Sequence, residues 1–144
     1  MLHLKQYLSI CMLISAIFLF SGCFGPNVNK PLKSTYWSLI ELNNEDSTNV
    51  SHQPDVHLVF HINNNTLHGS DGCNRIQSSY IQDEKGFHFT HTIATRMYCE
   101  EAMAQADAFV EALGKTDRIS IEENILILYS ADTIIAKLQA KDEY

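Results

Sequence analysis

Residues 56–92 read VHLVFHINNNTLHGSDGCNRIQSSYIQDEKGFHFTHT, and this stretch decides the fold. Val56 to Ile62 puts Leu58, Phe60 and Ile62 on one face and His57, Val59 and His61 on the other, the period of two that a half-buried strand requires. Asn63-Asn64-Asn65 then makes a hairpin turn, because asparagine tolerates left-handed backbone. Thr66 to Gly69 starts the return strand. The glycines and Asx residues around Cys73 predict a bulge or sharp bend in it, after which Ile76 to Ile81 resumes as strand. Beyond the Asp83-Glu84-Lys85-Gly86 turn, Phe87 to Thr92 pairs back with Phe87 and Phe89 on the inner face.

Working outward, Thr35 to Asn43 alternates Trp37, Leu39 and Glu41 against Tyr36, Ser38 and Ile40, a strand anchored in the core by Trp37. The polar run that follows, NNEDSTNVSHQPD, reads as a loop. Downstream the period changes. From Met97 to Gly114, Met103, Ala106, Phe109, Val110 and Leu113 recur at helical spacing, Glu100 and Glu101 suit a positive first turn, and Gly114 sits where a helix ends. Arg118 to Ile121, Ile125 to Ser130 and Thr133 to Gln139 follow as three short strands. Four strands, one helix and three strands argue for an α+β domain: a strongly curved, mainly antiparallel β-sheet or small barrel-like domain with one helix packed on it.

Lys5 precedes an apolar run from Tyr7 to Phe20, too short for a spanning helix, and Ser21-Gly22 interrupt it before Cys23. This is the grammar of a secretory signal peptide, and Leu19-Phe20-Ser21-Gly22-Cys23 resembles the lipobox of bacterial lipoproteins, with Phe20 where that pattern prefers Leu. Residues 1–22 are thus expected to be removed, Cys23 to be acylated, 23–34 to form a lipidated tether and 35–141 to form the domain. Two or more acyl chains supply stable membrane attachment. Phe24 is not the Asp that retains lipoproteins in the inner membrane of enteric bacteria, so in a two-membrane host the expected address is the outer membrane, facing the periplasm. The whole chain carries a net charge of -7, and loss of Lys5 leaves nine basic groups against seventeen acidic ones. That balance argues against nucleic acid as a partner, since phosphate binding needs a basic footprint.

Taken together, Gly69-Ser70-Asp71-Gly72-Cys73-Asn74-Arg75, then Phe87 to Thr90, then Ala94-Thr95-Arg96-Met97-Tyr98-Cys99 resemble the META domain family, also called HslJ-like. The family's G-x-x-G-C-N word matches Gly69, Gly72, Cys73 and Asn74, and its T-R-M-x-C word, which opens a helix in the family pattern, matches Thr95, Arg96, Met97 and Cys99. The correspondence continues through Phe109, Leu113 and Leu126-Ile127-Leu128, and Trp37-Ser38-Leu39 also fits. The resemblance implies a bacterial envelope or lipoprotein domain with no settled enzymatic activity and an association with stress responses and drug tolerance.

Cys11 leaves with the signal peptide and Cys23 takes the lipid, so Cys73 and Cys99 are the pair left in the domain. Three readings stand open. A disulfide is invited by an even pair in an oxidising compartment, and closing about 26 residues would stabilise the domain by roughly 3 to 4 kcal/mol. The second is a pair of buried free thiols. The third is a reactive thiolate at Cys99, acidified by a helix N-terminus and Arg96, although no Cys-x-x-Cys and no assignable base accompany it. Asn74, Arg75 and Arg96 form either a polar recognition spot or a bend support, with the arginines paired to acids such as Asp71 or Glu100 and Thr95-Arg96 capping the helix.

His57 and His61 share a strand face about 13 Å apart, too far to ligate one ion without a partner strand, which His68 or His88 could supply. Glu41, Glu45, Asp46, Asp83, Glu84, Glu122 and Glu123 form no dyad, and no P-loop, G-x-S-x-G or dinucleotide word is present. The chain is therefore read as a non-enzyme with no catalytic residue, cofactor or resident metal, held at the membrane by its lipid and partnered by an envelope protein. The alternatives are a small-ligand or metal binder using the barrel opening or the His57, His61, His68 and His88 face, and, third, a thiol redox enzyme.

Overall fold

Strand β1 (Tyr36–Leu42) carries the anchor expected of it: Trp37 is fully buried, and its indole N–H donates to the Leu32 carbonyl at 3.0 Å. The computed structural model describes residues 29–47 and 55–142. The signal peptide, Cys23, the first part of the tether and the loop residues His52 and Pro54 lie outside the described residues. The rest of the tether does not hang free. Lys30 N–H donates to Glu123 C=O at 2.7 Å, Ser34 N–H to Phe60 C=O at 2.8 Å, and Leu32 packs on the core, so residues 29–34 belong to the domain.

The alternation in β1 breaks at a bulge between Leu39 and Glu41, where its register with β9 (Thr133–Lys141) shifts. The extra residue turns Leu42, rather than Glu41, into the core, and Glu41 pairs at the surface with Lys137 at 2.8 Å. Asn43 and Asn44 both have positive φ, 52° and 66°, the backbone of a tight hairpin. They return a two-residue strand, β2 (Glu45–Asp46), where the polar composition predicts only loop.

The remaining elements are β3 (His57–Phe60), β4 (Thr66–Ser70), β5 (Arg75–Asp83), β6 (Gly86–Ala94), helix α1 (Met103–Lys115), β7 (Arg118–Glu122) and β8 (Ile125–Ser130). The main path through the sheet is β6-β5-β4-β3-β1-β9-β8-β7, antiparallel between neighbours, with β2 beside β1. This strongly curled sheet makes a half-barrel. Its two end strands approach at one corner, where Phe87 N–H donates to Asp117 C=O at 2.9 Å. Gly86, at φ 126°, is required there because a Cβ would strike the Asp117 carbonyl.

Three expectations are corrected. The strand drawn through Thr66–Ile81 is two strands, β4 and β5, paired antiparallel with Ser70 opposite Arg75 and Thr66 opposite Ser79, so the glycine-rich word is a hairpin turn rather than a bend. Ile62 lies past the end of β3 and is 62% exposed, because the turn starts at His61 and removes it from the pleat. The helix begins at Met103 instead of Met97, with Glu100 and Glu101 in the preceding turn and no acid in its first turn.

The helix packs on β6 and β8 through Ala106, Phe109, Ala112 and Leu113. Beneath it, Phe60, Tyr80, Phe87 and Phe89 form an aromatic cluster, with Tyr80 and Phe87 stacked at 5.2 Å and Phe60 edge-on to Tyr80 at 5.4 Å. Such packing adds to simple area burial.

Candidate functional site

The turn between β4 and β5 is built around Asp71, which is 1% exposed. Its Oδ1 accepts the backbone N–H of Cys73 at 2.8 Å and that of Asn74, and its Oδ2 accepts from Asn74 Nδ2 at 3.1 Å. A buried carboxylate needs such donors, and here the backbone and one amide supply them. Gly72 takes φ 94°, open to glycine at little cost. Gly69 serves a different need: a Cβ on it would overlap the His57 carbonyl on β3, so the two strands can pair this closely only if it is absent.

The second cysteine word is fastened onto this turn. Asn74 Oδ1 accepts the Met97 N–H at 2.8 Å and the Thr95 hydroxyl at 3.2 Å, and the Thr95 hydroxyl oxygen accepts the Arg75 N–H at 3.1 Å. Cys73 and Cys99 form a disulfide with Cα atoms 5.8 Å apart. These bonds hold residues 95–99 off the helical path. The Cys99 carbonyl then accepts from Ala102 N–H at 2.9 Å and Met103 N–H at 3.0 Å, and the helix starts. Thr95 is therefore a cross-link between the words rather than a helix cap. Asn74 supports the turn as expected, but Asp71 is engaged with backbone and leaves Arg75 and Arg96 exposed, without an ion pair among the described residues.

Between this clamp, the end of β6 and α1 runs an open groove of about 640 Å³. Ile93, Met97 and Tyr98 border it at 62%, 58% and 81% exposure, beside Arg96, Asp107 and Val110. Sequence reasoning missed this inversion, placing Met97 on an amphipathic helix and assigning Ile93 and Tyr98 no role. The signal available was an apolar pair, Met97-Tyr98, preceded by Arg96 and followed, after Cys99, by Glu100.

The histidines regroup. His57 stacks on Tyr36 at 4.4 Å, with its Nδ1 2.8 Å from the Asp55 carbonyl oxygen. His61 and His68 meet across the β3–β4 hairpin, Nε2 to Nδ1 at 3.3 Å. His88 stands opposite Ile81 near the far end of β6, away from them, whereas His91 lines the same shallow cavity as the pair. Partial burial, and then the neighbouring His61 and His57, hold the pKa of His68 below the usual histidine value. At Asp55, burial would raise the carboxyl pKa, but hydrogen bonds from Lys141, Ser38 and Tyr36 and the Lys141 charge outweigh it and leave it below the usual 3.8.

With the geometry in place, comparison with known proteins is informative. The model of the META domain matches residues 30–143. A protein from Burkholderia xenovorans solved by NMR is 19% identical, with a TM-score of 0.63 over 87% of this chain and 97% of that one. A DUF4847-family protein from Bacteroides vulgatus, known from a crystal structure, is 16% identical, with a TM-score of 0.55 over 78% of this chain and 96% of that one. At such identities the solved structures speak for the fold alone. No curated protein matches the sequence. The matched span takes in both cysteine words, the clamped turn and the closing strands, and the chain belongs to the META domain family.

Proposed function

We propose that this protein is a lipid-anchored component of the cell envelope whose META domain is a non-enzymatic binding or structural module supporting envelope integrity under stress and drug challenge. The observation that carries the binding role is the inverted polarity of the clamped end. Asp71 is buried at 1% exposure while Tyr98, two residues into the tied segment from Arg96, stands at 81%. Surface apolar residues gathered on a rigid rim mark interaction sites. The lipobox at Cys23 and the apolar run before it support the address.

The test has two parts. Intact mass and peptide mapping of the protein from its native membrane should find Cys23 acylated, and Cys23→Ala should release the domain from the membrane fraction. In a strain lacking the protein, Met97→Ser with Tyr98→Ser should fold and localise normally yet fail to restore tolerance to envelope stress. Full rescue by that variant, or substrate turnover that depends on Arg96 or on Cys99, would overturn the reading.

A further inference from the structure

We propose that His61 and His68 form a zinc-binding site on the outer face of the β3–β4 hairpin, with Nε2 of His61 and Nδ1 of His68 as the two protein ligands. The site goes beyond the binding role above, and neither of its two ligands borders the groove, although Ile93 lines both cavities.

The hairpin places the two rings. Phe60 pairs with Leu67, and His61 N–H donates to Thr66 C=O at 2.9 Å, so His61 and His68 are diagonal neighbours on the outward face. Their ring centroids lie 4.9 Å apart and the two nitrogens 3.3 Å apart. Zinc binds imidazole nitrogen at about 2.0–2.1 Å in tetrahedral geometry, which separates any two ligand atoms by about 3.3–3.4 Å. Adjacent ligands of a square-planar ion at the same bond length stand only about 2.9 Å apart. The two rings are in hydrogen-bond contact at 3.3 Å, and the same separation spans the tetrahedral edge, so a zinc ion can take the place of the ring proton between them.

The surroundings suit a cation. The pair lines a cavity of about 380 Å³ together with Thr66, Gln77, Ser79 and His91. His91 is held there in left-handed backbone, φ 51°, at the β5–β6 bulge between Gln77 and Ser79. Among the described residues no set of three His, Cys, Asp or Glu converges as a metal cage. The site is accordingly open, with two further ligands, waters or donor atoms from a bound molecule, completing the tetrahedron. The chain's net charge of -7 favours the approach of a cation.

The test uses the untagged full-length chain titrated with zinc chloride in a calorimeter near neutral pH, with nitrogen-15 NMR of the histidine rings. Wild type should take up a single Zn²⁺, shifting Nε2 of His61 and Nδ1 of His68. His61→Gln and His68→Gln should each abolish uptake, whereas His57→Gln, His88→Gln and His91→Gln should retain it. Unchanged near-ultraviolet circular dichroism will show that these surface variants are folded. No uptake by wild type, undiminished uptake by the His61→Gln/His68→Gln double variant, or metal-induced shifts at other ring nitrogens would each overturn the site.

Discussion

The clamped end of the molecule, residues 69–75 with 94–99, and the closing meander β7–β8–β9 solve the same problem in opposite ways. In the meander, apolar side chains go in and polar ones out: Leu126, Leu128 and Leu138 are fully buried, while Lys137 meets Glu41 at the surface. Hydrophobic burial holds it. At the clamped end a carboxylate goes in and Met97 and Tyr98 stay out, and order comes from a disulfide and a set of side-chain hydrogen bonds. The difference teaches that rigidity at the clamp does not depend on its apolar residues, which leaves them free to face a partner.

That contrast can be broken from either side. The largest effect is expected in the meander: Leu138→Ala should destabilise by roughly 2–5 kcal/mol in urea melts, by lost burial plus a cavity. If it costs under about 1 kcal/mol, burial does not hold that half. Removing the disulfide as Cys73→Ala with Cys99→Ala should cost about 3.5 kcal/mol on the loop-entropy account for a separation of 26 residues. The pair variant should leave the meander's amide exchange order intact. Asp71→Ala strands the Cys73 and Asn74 N–H donors and should cost roughly 1.5–3 kcal/mol, with NMR changes centred on residues 71–75 and 95–99.

A smaller, pH-specific effect belongs to Asp55, which joins β1 to β9 by accepting from Ser38 at 2.8 Å and Lys141 at 2.9 Å. Its folded pKa lies below the unfolded value of 3.8, so the carboxylate is favoured by folding. Its contribution is complete above that value and is lost as pH falls through the folded pKa. Asp55→Asn should therefore flatten the stability profile below about pH 4 and leave it unchanged in slope near neutrality. The smallest effect is at the rim: Tyr98→Ser should shift stability by no more than about 0.5 kcal/mol, because an exposed side chain loses little burial. A larger cost would mean that Tyr98 holds the fold and the contrast is wrong.

Much of the meander was legible in the sequence. The strands at Arg118–Glu122, Ile125–Ser130 and Thr133–Lys141 follow alternation and two-residue turns, both local properties. The clamped end was legible as words but not as geometry. Gly69-Ser70-Asp71-Gly72-Cys73 signals a break in the strand, yet a bend and a hairpin share that composition, and only pairing with β5 separates them. Met97 and Tyr98 sit at helical spacing with the residues that follow, but Asn74 and the disulfide claim that segment first, and the helix begins at Met103. The β1 bulge escaped for the same reason, since the partner β9 fixes where the extra residue falls.

By itself the sequence determined the strand periods, the domain's helix, the α+β class, the family words and the pairing options of Cys73 and Cys99, because each is set by neighbours a few residues apart or by the short inventory of cysteines. Tertiary structure decided which glycine meets a foreign carbonyl, which side chains leave the core at the clamp, and which of six domain histidines stand together. Those outcomes depend on strand register. A register places residues seven or twenty apart within 3 or 4 Å of each other, and a one-residue slip would send every one of them to the opposite face.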